Sequence, residues 1–575
     1  MTGLVSISLL VVSTVIGAES LDLQRADLRQ PQRLALSASG DRLLTANQKR
    51  GSVSVIDLTK RTVIGEYQVG QSVVAFAPLP DDHFMLTDPV AHEVIEIALR
   101  GDAVSVIARA SVPPYPQRIA ATELGDAIYV SSLWPKQVTR LEKRAGQWRE
   151  TKRMTLPFAP RELLLLPHRD LLIAADGFGG NLAAISTLDF TITAINQFPA
   201  HNIQRMQAAD QGESVALAHQ MLSELAFTNE NDIHWGMVMS NDIRWLKVDA
   251  LVKRDGDLYE GNRMHSIGEP GRGGGDPTAI AIATTGDYAV SMGATDQVAI
   301  GEDRAYGIWR TKVGRRPTDV IFSADQQSVY VADSLDDTIS IVDVKRRKRI
   351  GTISLGPLRE RTPPELGEVL FYRGLSMEGW MSCHSCHTDG HANGLANDNL
   401  SDDSYGAPKR VLSLLSQRDT APYGWLGKND SLQTQIHLSV TQTMQGEDVS
   451  QEQANHLAAF LETLTLPPAI DELQQTRDDA LVSAGQTLFA ELSCVQCHAP
   501  PTYTTPDVYD VGIHDQKGNE AFNPPSLRGV GHRGPYFHDC RCETLEDVLA
   551  VQKHQLPREL TDEEQAALIA FLRSL

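Results

Sequence analysis

The chain has 575 residues and a formal net charge of −21. This length predicts several domains, and the acidic charge argues against nucleic acid as a partner because phosphate binding requires a basic surface. All six cysteines lie between Cys383 and Cys542, so any thiol chemistry belongs to the C-terminal third.

The N-terminal segment is apolar from Leu4 to Ile16 and ends in small residues near Ala18. This pattern predicts a secretory signal peptide over residues 1–18, and the run is too short to cross a bilayer comfortably. Met1-Thr2-Gly3 lacks the usual positive charge, which leaves a misplaced start or a retained anchor as alternatives. We therefore expect a periplasmic or otherwise exported protein with no membrane span beyond this segment.

Residues 19–357 carry a repeat of roughly forty residues, a period typical of propeller blades. In the clearest copy, from Asp319 to Ser354, four short alternating runs are separated by polar turns. Such runs fit a four-stranded blade and no helical repeat. The repeats begin near Gln32, Ser72, Pro116, Pro160, Ile203, Pro277 and Pro317, which predicts seven blades. The copies resemble bacterial YVTN-type propeller repeats, with Tyr330-Val331-Ala332-Asp333 at the signature position.

The fifth repeat is too long, with an insertion between Phe227 and Pro277 that contains Trp235 and Trp245. Long loops in compact domains are often functional, so one interpretation is that this segment reaches over a functional site or a partner. The other is that both tryptophans only pack the loop against the propeller.

Two Cys-x-x-Cys-His motifs follow, Cys383-His384-Ser385-Cys386-His387 and Cys494-Val495-Gln496-Cys497-His498. This spacing attaches a c-type haem through Cys383, Cys386, Cys494 and Cys497, with His387 and His498 as proximal iron ligands. Zinc is the alternative, because Cys-x-x-Cys with a nearby His is also a zinc half-site. Two copies in matching surroundings favour two covalently bound haems.

The surroundings of the two motifs match in detail. Gly367 to Phe371 precedes the first motif as Gly485 to Phe489 precedes the second. Each unit ends in a helix with a capping-box pattern, at Ser450 with Gln453 and at Thr561 with Glu564. Downstream of the motifs, Trp425 corresponds to His538. We therefore predict a multidomain chain, an all-β seven-bladed propeller followed by two all-α cytochrome c domains over residues 358–466 and 467–575.

Three further segments, Pro525 to Val530, Pro535 to Asp539 and Thr544 to Val548, complete the pattern. With the two motifs, the last two hundred residues or so resemble the di-haem cytochrome c peroxidase and MauG-like family. The resemblance implies an exported enzyme that uses hydrogen peroxide to oxidise a small redox protein, a protein substrate or a small molecule. It implies the peroxide site at the first haem, with Met444 in its pocket and Trp425 as a relay to the second haem.

The chain also departs from that family. Thr443 stands where the resemblance implies a pocket glutamate, for which Glu447 or His437 could substitute. Arg410 replaces an asparagine of the family's calcium site, which argues against calcium. His554 is our expected sixth ligand of the second iron. The alternative function is a non-catalytic electron-transfer cytochrome with the propeller as a docking or ligand-binding module.

The sequence offers several candidates for the distal haem ligands. The other candidates after the first motif are His391, His437 and Met444, and those after the second are His514, His532 and His538. Cys540 and Cys542 are expected to bond to each other in an oxidising compartment, although so small a ring is strained.

Overall fold

The computed structural model describes residues 16–302, 304–305, 307–403 and 405–575. Most of the predicted signal segment therefore lies outside the described residues. Within the described part of the chain, no helix is both long and apolar enough to span a membrane.

Residues 31–354 form seven antiparallel sheets, each built from four consecutive strands. From blade one to blade seven, the strands are Pro31–Leu36, Arg42–Asn47, Ser52–Asp57 and Thr62–Gln68; Ala75–Leu79, His83–Asp88, Glu93–Arg100 and Ala103–Ser111; Pro116–Ala121, Ala127–Ser132, Gln137–Arg144 and Gln147–Thr155; Pro160–Leu166, Leu171–Asp176, Asn181–Ser186 and Thr191–Gln197; His201–Ala209, Ser214–Leu222, Met239–Lys247 and Arg263–Ser266; Pro277–Ile282, Tyr288–Met292, Gln297–Gly301 and Ile308–Lys312; Pro317–Phe322, Ser328–Asp333, Thr338–Asp343 and Lys348–Ser354. Two short strands, Glu19–Ser20 and Ile16–Gly17, extend blades one and two.

The first strand of each blade contacts the first strands of its two neighbours, and the strand of blade seven contacts that of blade one. This closed circle surrounds a central channel and confirms the seven predicted blades. Apolar clusters fill the spaces between adjacent blades, as between blades one and two around Leu44, Val55 and Leu86. The second strand of blade four, Leu171–Asp176, is buried at every position, which explains its nearly continuous apolar sequence.

The C-terminal region is mainly helical. Its α-helices are Pro363–Phe371, Cys383–Cys386, Leu432–Leu438, Gln451–Leu461, Ile470–Gln474, Asp479–Glu491 and Asp562–Arg573, and π-helical turns cover Ser439–Thr443 and Asp547–Val551. Two small antiparallel ladders pair Ala396–Asn397 with Lys409–Arg410 and Tyr509–Asp510 with Ala521–Phe522. The described part of the propeller contains the short helices Glu230–His234 and Val248–Leu251.

The two halves of the helical region repeat one helix crossing. Pro363–Phe371 packs on Gln451–Leu461, and Asp479–Glu491 packs on Asp562–Arg573. A Cβ atom on Gly367 would lie 1.9 Å from the His456 carbonyl oxygen, and one on Gly485 would lie 2.0 Å from that of Ala567. Only glycine allows the helices to approach so closely, which explains the two matching glycines in the sequence.

The long loop of blade five reaches the helical region. Ile233 and Val238 lie in one apolar cluster with Phe371 and Trp380, and Thr228 donates a hydrogen bond to the Asp398 carbonyl at 2.9 Å. Both interpretations of the insertion therefore hold in part. Trp245 packs inside the propeller against Tyr288, whereas Trp235 is 60 % exposed.

Candidate functional site

A cavity of about 520 Å³ lies within the helical region, and both Cys-x-x-Cys-His motifs line it. Nine of the residues that the sequence selects for the site are found in its wall: Cys383, Cys386, His387, Cys494, Cys497, His498, Trp425, Met444 and His554. The wall is mostly apolar, as a haem macrocycle requires.

The two motif histidines are held as neutral imidazoles. Burial lowers the pKa of His387 and of His498 to about 4. The Nδ1–H of His498 donates to the Tyr503 carbonyl at 3.1 Å, which leaves Nε2 of His498 as the ligating nitrogen. An imidazole oriented in this way by a backbone carbonyl is the usual state of a metal-binding histidine.

Two buried arginines supply positive charge to the cavity wall. Arg410 donates to the carbonyls of Arg533 and Phe537 at 3.1 and 3.2 Å, and Arg533 donates to that of Ser526 at 2.9 Å. Burial lowers the pKa of Arg533 to about 9. Neither guanidinium forms an ion pair with a described carboxylate, so the donor set fits the propionates of a haem.

Our sequence analysis missed Arg533. One signal in the sequence could have identified it. The stretch from Gly529 to Phe537 contains no acidic residue that could form an ion pair with Arg533. Together, the cysteines, the neutral histidines and the unpaired arginines fit a haem bound at each motif.

Trp425 and His538 both line the cavity, and their rings meet edge to face. Their ring centroids lie 6.2 Å apart at an interplanar angle of 72°. Trp425 donates its indole N–H to the Arg410 carbonyl at 2.8 Å, and His538 stacks on Phe522 with centroids 4.4 Å apart. Both ring nitrogens of His538 are buried without a hydrogen-bond partner among the described residues. Equivalent positions of the two units therefore meet and form an aromatic bridge.

Three of the candidate distal ligands reach the cavity. Met444 is buried in its wall at the end of the π-helical turn Ser439–Thr443. His554 lies near His498, because a charge on His554 lowers the pKa of His498, and burial lowers the pKa of His554 itself. His538 is the third.

The other histidines are engaged elsewhere. His391 bonds to the Ser413 hydroxyl and the His532 carbonyl, at 3.0 and 3.1 Å. His532 bonds to the Pro468 carbonyl at 2.9 Å. His437 bonds to Asp448 at 2.6 Å, and His514 is exposed. Neither His437 nor the exposed Glu447 lines the cavity.

A lysine and an arginine lie at the place considered for calcium. Lys409 forms ion pairs with Asp402 and with Asp515, each at 3.0 Å. The Nδ2 of Asn523 donates to the carbonyls of Thr505 and Asp507, both at 3.2 Å. Among the described residues, no three His, Cys, Asp or Glu side chains are arranged to hold a metal ion. These residues do not fit calcium, because an ammonium group already neutralises the available carboxylates.

The expected bond between Cys540 and Cys542 is wrong in this structure, where both thiols are free. Cys540 adopts a left-handed backbone conformation, with φ of 60°, and its thiol points toward the Gly394 carbonyl at 3.8 Å. Cys542 is buried.

The propeller grips the first motif. The hydroxyls of Ser382 and Ser385 donate to the carboxylate of Asp276, and a ring nitrogen of His201 bonds to the Ser385 carbonyl at 2.9 Å. His384 lies between Asp276 and Asp389, at 3.6 and 3.3 Å. Burial opposes the charge of His384, yet the two carboxylates raise its pKa. We call Asp276 and His201 the propeller mouth.

Comparison with curated proteins finds relatives for the C-terminal part, while no family model matches the chain. The methylamine utilization protein MauG of Methylorubrum extorquens is 26% identical over 274 residues, which is 36% of this chain and 77% of that protein. The cytochrome c551 peroxidase of Nitrosomonas europaea is 26% identical over 280 residues, 38% of this chain and 83% of that protein.

MauG of Methylophilus methylotrophus is 25% identical over 276 residues. Among solved structures, hydrazine synthase of Kuenenia stuttgartiensis superposes with a TM-score of 0.49 at 16% identity, over 56% of this chain and 97% of that one. The C-terminal part of this chain is thus similar in sequence to MauG and to a cytochrome c peroxidase, and it is joined to a seven-bladed β-propeller.

Proposed function

We propose that this chain is an exported di-haem c-type oxidoreductase that uses hydrogen peroxide to oxidise a small redox protein, a protein substrate or a small-molecule donor. The observation that carries the proposal is the single cavity lined by both motifs, with Trp425 and His538 between them. The names of the curated relatives, a peroxidase and MauG, point in the same direction.

In this proposal, residues 19–357 are the propeller, and residues 358–466 and 467–575 are two cytochrome c domains with one haem each. The bound haems supply the redox chemistry, which protein side chains cannot perform alone. The chain's own contribution is to hold, orient and insulate them.

Each group in the wall has a distinct task. Cys383 and Cys386, like Cys494 and Cys497, anchor a macrocycle, while His387 and His498 offer neutral nitrogens to the two irons. Arg410 and Arg533 would neutralise the propionates of a bound haem. His554, which also lines the cavity, would supply a further ligand to a haem held at the second motif and would suit that haem to electron transfer.

Reduction of one hydrogen peroxide to two water molecules consumes two electrons and two protons. We assign peroxide binding to the first motif, beside Met444, and electron entry to the second motif, where Val495 and Gln496 are exposed. Trp425 gives up one electron toward the first motif and regains one from the side of His538. Two such transfers complete a turnover, and the donor loses two electrons in total.

One observation favours a second candidate, a cytochrome that only transfers electrons. The Met444 thioether is buried in the cavity wall and would be a candidate ligand for a haem held at the first motif. Glu447 and His437 both lie away from the wall, so neither supplies the proton that O–O cleavage requires. In that case the propeller serves as a docking or ligand-binding module.

Electron paramagnetic resonance of the ferric holo-protein separates the two candidates. The peroxidase predicts a high-spin signal that disappears with one equivalent of hydrogen peroxide, together with a new radical signal. Trp425→Phe should retain the high-spin signal and lose the radical. Trp245→Phe, a buried tryptophan of the propeller, is the control and should behave as the wild type. Two low-spin signals that do not respond to peroxide, in both the ferric and the half-reduced protein, would leave the electron carrier.

A further inference from the structure

Four arginines project from the innermost strands of the propeller. Arg33, Arg118, Arg161 and Arg205 come from the first strands of blades one, three, four and five. Their charges act on one another: Arg118 experiences those of Arg33, Arg161 and Arg205. We call these four residues the channel arginines.

Few carboxylates balance them. Glu162 accepts a hydrogen bond from Arg118 at 3.0 Å, and Asp319 lies 3.7 Å from Arg33. Asp389 of the helical region pairs with Arg161 at 2.5 Å, but it is shared with His384. The four guanidinium groups therefore exceed the carboxylates within reach.

Arg205 is the unpaired member. It forms no hydrogen bond and no ion pair with any residue in the described ranges, although Asp319 and Glu162 offset the burial that opposes its charge and raise its pKa. Arg33 and Arg161 are each 4% exposed, and their Nε atoms are buried without a partner. Burial, followed by the charge of Arg33, lowers the pKa of Arg118 to about 9. Arg205 itself is half-buried, and a cation that is partly removed from water without a paired charge is costly unless a counter-ion accompanies it.

The channel is also narrow at this level. Arg33 donates to the Thr318 carbonyl at 2.6 Å and, across the channel in blade five, to the Gln204 carbonyl at 3.3 Å. A ligand here must be small and negatively charged, and a guanidinium fork is suited to two oxygens of one anion.

We propose that the propeller channel binds one small oxyanion, an inorganic oxyanion or a short carboxylate, on Arg205 with support from Arg33 and Arg118. Arg161 connects this site to the first motif, because its partner Asp389 lies two residues beyond His387. The site is independent of the cavity that holds the motifs, and binding there requires no redox step.

Isothermal titration calorimetry of the full chain with sulfate, phosphate or oxalate tests the proposal. We expect saturable binding of one anion per chain by at least one probe. Arg205→Gln should weaken it by about ten- to a hundred-fold, the effect of losing one charged hydrogen-bonding group, and Arg205→Lys should weaken it less. The control is Arg169→Gln, an arginine of a surface loop paired with Glu213 and Asp249, which should bind as the wild type does.

A thermal unfolding series keeps the proposal open to refutation if Arg205→Gln fails to fold. A ligand that binds only the native state raises the unfolding temperature, and the rise grows with the ligand concentration. For the wild type we expect the largest rise with the anion that binds most tightly. The proposal is overturned if none of the three anions binds the wild type. It is equally overturned if binding is unchanged in Arg205→Gln or if Arg169→Gln abolishes it.

Discussion

The two motif-bearing halves have the same local design and opposite surroundings. Both place a Cys-x-x-Cys-His motif after a helix that crosses its partner at a glycine. In the first motif Ser385 is fully buried beneath the propeller, whereas in the second Val495 is 36% exposed. The two halves thus share the helix crossing, but the propeller buries only the first motif at these positions.

Under the proposed function, this difference divides the work. The first half is insulated, which favours a reaction that must exclude competing reductants. The second half presents its motif to partners. The following variants test that division, from the largest expected effect to the smallest.

Asp276→Ala should have the largest effect. Removal of this buried carboxylate leaves Ser382, Ser385 and His384 without their common acceptor, and loss of one partner of a buried charged network costs about 3–5 kcal/mol. We expect a lower free energy of unfolding and a changed spectrum of the first haem only. Gln496→Ala, at an exposed motif position, is the control. Equal changes in both haem spectra would contradict the division.

Gly367→Ala and Gly485→Ala probe the shared crossing. Each new Cβ would collide with a carbonyl oxygen of the facing helix, and such overpacking typically costs about 1–3 kcal/mol. We expect each substitution to lower the free energy of unfolding. In electron paramagnetic resonance of the ferric protein, only the signal of the haem in the substituted half should change. If Gly367→Ala disturbed the second haem instead, the two halves would not be independent units.

Asp515→Asn probes the joint between the halves. Burial opposes ionisation of Asp515, but hydrogen bonds from Asn519 and Lys409 lower its pKa to about 2. A lowered carboxyl pKa stabilises the fold above the unfolded value of 3.8, and this contribution disappears as the pH falls through 2. The free energy of unfolding of the wild type should therefore exceed that of Asp515→Asn by about 2 kcal/mol at neutral pH. Near the pKa of Asp515 in the folded protein, the two free energies should be almost equal.

Denaturant unfolding at a series of pH values measures that difference. The exposed Asp507 provides the control, since Asp507→Asn should show no such pH dependence. A stability gap for Asp515→Asn that stayed constant down to the acid limit would show that Lys409 does not hold the carboxylate.

Calcium should have the smallest effect. Lys409 neutralises Asp402 and Asp515, and the guanidinium of Arg410 lies 5.6 Å from the centroid of the Trp425 ring. Chelation or addition of calcium should therefore leave the spin state and the peroxide response unchanged. A change in the spin state or in the peroxide response on chelation would indicate that calcium binds between the two halves.

Local sequence patterns were sufficient to predict much of this architecture. Alternating strands and polar turns predicted the blades, because each blade is built from consecutive strands. The capping boxes at Ser450 and Thr561 formed as predicted. Matching glycines and motifs likewise revealed the duplicated unit, since each repeats within about one hundred residues.

Contacts between residues far apart in the chain could not be predicted from local sequence patterns. Asp276 binds Ser385 across 109 positions of the chain, and nothing in either local sequence indicates the pairing. The same holds for Arg410, whose partners lie at Arg533 and Phe537. The expected bond between Cys540 and Cys542 failed because sequence proximity does not reveal the direction of a side chain.

The grip of the propeller on the first motif has a consequence for how the protein is made. Ser382, His384 and Ser385 are all buried at the propeller mouth, whereas Cys383 and Cys386 are partly exposed. If thioether bonds form at Cys383 and Cys386, we expect them to form before the propeller covers this side of the motif. Closure of the propeller over the motif then marks the end of maturation for the first haem, while the second motif stays accessible to late loading.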